Sequence, residues 1–433
     1  MNTMSTHIPV IIVGGGQAGL SVSWCLQQRG IEHRVFEKKR AMHAWRERRW
    51  DAFCLVTPNW QCQLPGWPYR CDDPDGFMVK HEILDYLDGF LRHVNPPLHE
   101  GVAVTRVVPR PQGGFAVSTS MGEFTADDVV VASGGYDQPI VPGWAAALPA
   151  GVLQIHSEQY KNPQALPPGA VLVVGCGQSG AQIAEDLHLA GRQVVLATGP
   201  APRCARFYRG KDVVTWLAEM GYYEKPVAEH PLREGVRDNT NHYVTGRDGG
   251  RDIDLRRFAA EGMQLYGRLV GFDGACFAFE PNLREHLDEA DRIYNGINAS
   301  IDRFIDSQGL EAPPGGVYEP LWSPAEERTA LDLQAAGIGS VVWCIGFRPD
   351  FGWLQADVFD ERGNPVHERG ITATPGLSFI GLPWLHTWGS GRFSGVARDA
   401  EHVVQRIAAR LTAASGFPAP SHSAAVSAQP HPA

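Results

Sequence analysis

A short apolar run, Val10-Ile-Ile-Val13, ends in Gly14-x-Gly16-x-x-Gly19 and passes straight into a helical pattern of Leu20, Val22 and Leu26. Few chain geometries accept that order. The first glycine permits a tight turn, the second lets backbone approach a pyrophosphate, and the third lets helix pack on strand. Gln17 and Ala18 complete the turn, where a helix start offers free N–H groups and a positive dipole end to phosphate. The next strand pattern, Arg34-Val-Phe-Glu37, ends in a carboxylate placed for a ribose hydroxyl. Strand, glycines, helix and acid agree on a dinucleotide site.

The motif recurs as Ala170-Val-Leu-Val-Val174 followed by Gly175-x-Gly177-Gln178-Ser179-Gly180. Here the second strand, Gln193 to Thr198, ends without an acid, and Arg203, Arg206 and Arg209 follow. Loss of the acid with guanidinium groups nearby suits a 2′-phosphate, hence NADP rather than NAD; arginines on a solvated loop are the plainer alternative. Two such units, one set inside the other, imply an α/β chain with two Rossmann-like domains. FAD is expected in the outer domain and NADPH in the inner, inserted one, with hydride passing between them.

The remaining pattern fits this plan. Lys80 to Leu91 repeats apolar residues at helical spacing, and 102–109 with 114–120 reads as a strand pair. Three further apolar strands end at glycines, namely Gly134, Gly346 and Gly381. A basic, Trp-rich stretch from Trp45 and Arg48 to Trp60 reads as a loop over a flat ligand, or as aromatics at a core edge. Residues 211–330 are the least periodic, with a polar, glycine-rich loop at 241–252 expected to be functional. Gly389 to Gly395 opens a last helix. The expected domains are 8–160 (FAD, first part), 161–330 (NADPH), 331–412 (FAD, second part) and a disordered tail at 413–433. The loops near 53–70, 236–252 and 384–395 are expected to line the substrate pocket, with Trp384, Trp388 and Phe393 either at its entrance or in the core.

A length of 433 residues suggests two or three domains, and a formal charge of -10 argues against nucleic acid or an anionic membrane as partner. No apolar run reaches membrane-spanning length and the first residues lack a signal-peptide shape, so a cytoplasmic protein is expected. The eight cysteines form neither a C-x-x-C pair nor a metal-ligand spacing, and no metal is expected.

Taken together, Gly14/Gly16/Gly19, the Trp45 to Pro58 stretch, His156-x-x-x-Tyr160-Lys161, Gly175/Gly177/Gly180, Gly346-Phe-Arg-Pro and Gly381 resemble the flavin-containing monooxygenases, including the YUCCA-type plant enzymes. The resemblance runs from Val10 to about Leu411 and looks closest to a bacterial subgroup encoded beside nitrilases. It implies an FAD monooxygenase in which NADPH reduces the flavin and oxygen adds at C4a. The resulting (hydro)peroxyflavin then oxygenates a small nitrogen or sulfur nucleophile, or a carbonyl. It implies FAD contacts from Gly14, Gly16, Gly19, Glu37, Trp45, Arg48 and Gly381. NADPH contacts are implied from Gly175, Gly177, Gly180, Thr198, Arg203 and Arg206. A homodimer is a family expectation. The related signature F-x-G-x-x-x-H-x-x-x-Y is incomplete, since Ala150 and Val152 stand at its first two places; this weighs against a Baeyer–Villiger enzyme. His156 and Tyr160 remain candidate catalytic residues, His156 being equally a linker histidine. Lys80 aligns with an active-site position of the animal enzymes and is either an anion partner or a solvated helix-start lysine. A reductase or oxidase without oxygen transfer, or a nucleotide-binding redox sensor, would share the two glycine turns.

Overall fold

A computed structural model describes residues 6–415. The first strand, Thr6–Val13, lies between two parallel neighbours, His33–Glu37 and Gly122–Val131. Ile8, Val10, Ile11 and Ile12 are wholly buried, as expected for a parallel strand covered on both faces. Leu98–Glu100 extends the sheet on one side, Leu377–Phe379 pairs with Gly122–Val131, and an antiparallel pair, Val104–Pro109 with Phe115–Thr119, completes it. That pair and the helix Lys80–Val94 stand where the residue pattern puts them. The first helix, Gln17–Gln27, shares a core with the last, Val396–Ser415, through Leu20, Leu26, Ala400 and Val403.

The inner sheet is parallel throughout, in the order Leu153–His156, Ile338–Trp343, Ala170–Val174, Val194–Ala197, Gln264–Tyr266. Its helix, Gln178–Leu189, packs Ile183, Ala184 and Leu187 onto the sheet. Two strands thus cross the expected boundaries: Leu153–His156 lies before 161 and Ile338–Trp343 after 330, yet both belong to the inner sheet. Ile338–Trp343 is the twin of the outer strand that ends near Gly134, and only pairing across more than 150 residues reveals which sheet these two strands join. The 211–330 stretch also corrects an expectation. It holds a 26-residue helix, Leu283–Gln308, whose Leu287, Ala290, Ile301 and Ile305 are buried. The last helix continues past 412 to Ser415; the rest of the expected tail lies outside the described residues. No described helix is long and apolar enough to cross a membrane.

Candidate functional site: two nucleotide cradles and a cavity

The first glycine turn is shaped by contact. A Cβ on Gly19 would lie 2.0 Å from the Gly14 carbonyl oxygen, so only glycine lets the helix start this close to the strand. Gly16 meets nothing on its open side, and the helix above it has neither a side-chain cap nor an acid in its first turn. Those are the conditions an incoming pyrophosphate needs. Glu37 stands against the turn, accepting the Gly15 N–H at 2.7 Å and the Lys39 N–H at 2.8 Å. Gln17 bridges elements distant in sequence, donating to the Gly391 carbonyl at 3.0 Å and accepting from Trp45 Nε1 at 3.1 Å. Trp45, in the short helix His43–Glu47, thereby reaches the turn directly. Gly381 approaches from the other side, a Cβ there falling 2.7 Å from that of Ala18.

The second turn repeats the design. A Cβ on Gly180 would lie 1.8 Å from the Gly175 carbonyl oxygen, and Gly177 again leaves the helix start without a side-chain cap or first-turn acid. Gln178 donates to the Val244 carbonyl at 2.6 Å, mirroring Gln17, and so ties the polar 241–252 loop to the cradle. Both turns fit the pyrophosphate of a dinucleotide.

The residues beyond the second turn depart from expectation. Arg203 and Arg206 are almost fully buried and face carboxylates rather than an open phosphate site. Arg203 sits 3.1 Å from Asp291 and 3.4 Å from Asp254, its guanidinium 3.9 Å over the Tyr318 ring. Arg206 pairs with Asp212 at 2.5 Å and donates to the Val56 carbonyl at 2.8 Å. Arg209 is engaged as well, with Asp302. The Thr198 hydroxyl donates to the Tyr266 carbonyl at 2.9 Å and lies 3.0 Å from His286 Nδ1. These arginines hold the fold together; their acids come from segments up to 93 residues away.

Between the domains lies a cavity of about 1540 Å³. Gly175, Gly177, Gln178 and Ser179 of the second cradle line it, together with Gly346. So do Arg48, Trp50 and Phe53 of the Trp-rich stretch, and Gly135, the neighbour of Gly134. Leu382, Trp384 and Trp388 close it from the outer domain, and Arg237 to His242 from the inner one. All three expected loops therefore contribute. Phe393 does not line the wall; it is buried and stacks on Trp45 at 5.1 Å. Arg48 holds its place by donating to the Tyr136 carbonyl at 2.8 Å and by an ion pair with Glu158 at 3.1 Å.

His156, Tyr160 and Lys80 all lie off this wall. The buried His156 ring has its Nε2 3.1 Å from the Gly346 carbonyl and packs on Phe347, beneath the turn that faces the cavity. Burial pushes its pKa down, so it is neutral at pH 7. Tyr160 is wholly buried and donates to Asp186 at 2.7 Å, pinning the segment between the inner strands Leu153–His156 and Ala170–Val174 to the helix Gln178–Leu189. Lys80 Nζ donates to Asp51 at 3.0 Å and to the Arg49 carbonyl at 3.2 Å. Each is engaged with protein partners behind the wall. Arg49 of the Trp-rich stretch and Arg392 of the 384–395 loop also line the cavity, as do Tyr136 and Tyr222, which sequence reasoning passed over.

The family model for pyridine nucleotide-disulphide oxidoreductases matches residues 11–237, from the first strand through the second cradle. The chain belongs to that family. This oxidoreductase family membership agrees with two nucleotide turns, and the cradles fit FAD and NADPH. An uncharacterized oxidoreductase, CzcO-like, from Geobacillus kaustophilus is 29% identical over 415 residues, covering 93% of this chain and 99% of that one. Rice indole-3-pyruvate monooxygenase YUCCA4 is 32% identical over 194 residues, 41% of this chain and 44% of that one. Among solved structures, a flavin-containing monooxygenase from Stenotrophomonas maltophilia superposes with a TM-score of 0.63 at 20% identity, covering 94% of this chain and 99% of that one. The fold is therefore that of a two-dinucleotide flavoprotein.

Proposed function

We propose that this chain is an NADPH-dependent FAD monooxygenase that transfers one oxygen atom from O₂ to a small nitrogen or sulfur nucleophile, or to a carbonyl carbon. The observation that carries the reading is the shared wall: Gly177 and Ser179 of the second cradle face the same cavity as Gly135 and Leu382 of the first domain. NADPH would be held by the second cradle, which opens on this cavity, and FAD by the first, with Gly135 and Leu382 carrying the outer domain to the same wall. FAD, when bound, would supply the oxygen chemistry. The chain supplies position and dryness. Trp50, Phe53, Trp384 and Trp388 wall the cavity with apolar surface, which limits water around the reacting centre. The His156 ring packs beneath Gly346 and fixes that turn against the wall.

The monooxygenase relatives support oxygen transfer over simple oxidase activity. The test is isotopic. With ¹⁸O₂, NADPH and a panel of amines, thioethers and ketones, one labelled atom per product and one NADPH consumed are expected. Hydrogen peroxide as the sole oxygen product with every compound would overturn the proposal.

A further inference from the structure

The inner domain sends one segment, 222–241, away from its own sheet. In chain order it lies between the strands Val194–Ala197 and Gln264–Tyr266, and it is folded only in three short turns, Tyr222–Glu224, Val227–Glu229 and Arg233–Asp238. Its partner is the outer domain. Val227 and Val236 are buried with Trp384 in a small apolar cluster, and the rings of Tyr223 and Trp388 lie 4.5 Å apart. The Val227 N–H donates to the His386 carbonyl at 2.7 Å, Arg237 Nε to the Trp384 carbonyl at 3.1 Å, and Arg392 to Asn241 at 2.9 Å. Two exposed ion pairs, Glu224 with Arg398 and Asp238 with Arg362, complete the seam. At its far end the segment crosses the second cradle, where the Thr240 methyl is the nearest atom to the open side of Gly177. Tyr222, Tyr223 and residues 237–242 face the cavity, whereas 224–233 do not.

We infer that 222–241 is a lid on the second cradle: it lifts from the Trp384–Trp388 wall to admit the nicotinamide dinucleotide and latches again once the nucleotide is seated. The inference rests on the proposed function, which puts NADPH at that cradle. The physical case is a contrast in how the two domains are joined. Elsewhere the seam is tight: Arg206 donates to the Val56 carbonyl at 2.8 Å, the Asp51 N–H to the Lys161 carbonyl at 2.8 Å, and a Cβ on Gly246 would lie 2.0 Å from the Leu55 carbonyl oxygen. The 222–241 seam holds a small apolar cluster, a few hydrogen bonds and ion pairs that water screens, each contributing little. Segments with so few buried contacts open first, as ligand-gating loops do. Trp384, which the latch grips, holds a φ of 51°, a left-handed backbone that a tryptophan keeps only where its surroundings fix it.

The test uses the FAD-loaded protein and NADP⁺. Hydrogen exchange followed by mass spectrometry should show residues 224–233 slowed about tenfold or more when NADP⁺ is bound. Those residues do not face the cavity, so their protection reports closure rather than contact. V227P removes the N–H that latches to His386, and Pro226 already holds a ψ of 155°, which admits a following proline. Its association and dissociation rates for NADP⁺, read by stopped-flow fluorescence, should both rise several-fold while the dissociation constant stays within about threefold. E224Q should move both rates the same way by less. The exchange measurement on the native protein decides the matter whether or not V227P folds. NADP⁺ that binds without slowing exchange at 224–233, or a V227P protein altered in dissociation alone, overturns the lid and leaves the nucleotide reading intact. Failure of NADP⁺ to bind the native protein, or binding that Gly177→Val does not weaken, removes the nucleotide reading of the second cradle and the lid with it.

Discussion

Gly180 presses against Gly175 so closely that a Cβ on the first would lie 1.8 Å from the carbonyl oxygen of the second. Nothing in backbone can yield at that distance without moving the helix Gln178–Leu189 off its strand. At Gly177 the nearest atom is the Thr240 methyl at 3.2 Å, which can give way. The two glycines therefore serve different ends, one packing and one ligand access.

That difference is measurable. Gly180→Ala should destabilise the inner domain by about 2 kcal/mol or more, the scale of overpacking, and lower the melting temperature. Gly177→Val should leave melting nearly unchanged and slow NADPH-driven bleaching of the flavin at least tenfold, because its side chain occupies the cradle. FAD content after purification should be normal in the Gly177 variant.

Arg203→Ala tests the correction to the second nucleotide site. Removing Arg203 leaves Asp254 without its cation and Asp291 with Arg256 alone, a loss toward the lower end of about 3–5 kcal/mol. Denaturant unfolding should show that loss. Among molecules that remain folded, the Michaelis constant for NADPH should stay within about twofold; a selective rise for NADPH over NADH would return Arg203 to the nucleotide site.

Tyr160→Phe deletes the hydroxyl that donates to Asp186, whose other oxygen accepts from Arg247 at 2.7 Å. The expected cost is about 1–2 kcal/mol of stability. Turnover per folded FAD-loaded molecule should be unchanged, which separates a wall-supporting tyrosine from a catalytic one.

His367 supplies a pH signature. Burial and the neighbouring Arg237 hold its pKa near 4, below the ordinary value of 6.5, and its Nδ1 accepts the Gly370 N–H at 3.3 Å. The unfolded chain thus binds this proton more readily than the folded one. The stability involved is fully present above pH 6.5 and is lost as pH falls toward 4. Melting temperature followed across that window should fall less steeply in His367→Gln than in the native chain.

Both glycine cradles were legible because each is local: strand, turn and helix lie within about 20 residues, and sterics alone assign the glycines. The helix Leu283–Gln308 was equally open to reading, since Leu287, Ala290, Ile301 and Ile305 repeat at helical spacing, but the polar residues between them masked it. Membership of Leu153–His156 and Ile338–Trp343 in the inner sheet was not legible, because apolar strands carry no mark of their partners. The same applies to charge. Arg203 beside a nucleotide strand and Arg49 beside a Trp cluster look alike in sequence; only the fold brings Asp254 and Asp291 to one and leaves the other facing a cavity.

The most direct test of the central claim is rapid mixing of the NADPH-reduced protein with oxygenated buffer, following the flavin spectrum with and without an oxygen-accepting substrate. The account predicts that NADPH bleaches the flavin and that reoxidation passes through a distinct transient species. That species should decay faster when substrate is present and yield oxygenated product. Reoxidation in one step to oxidised flavin and peroxide, with no product and no effect of substrate, would contradict it.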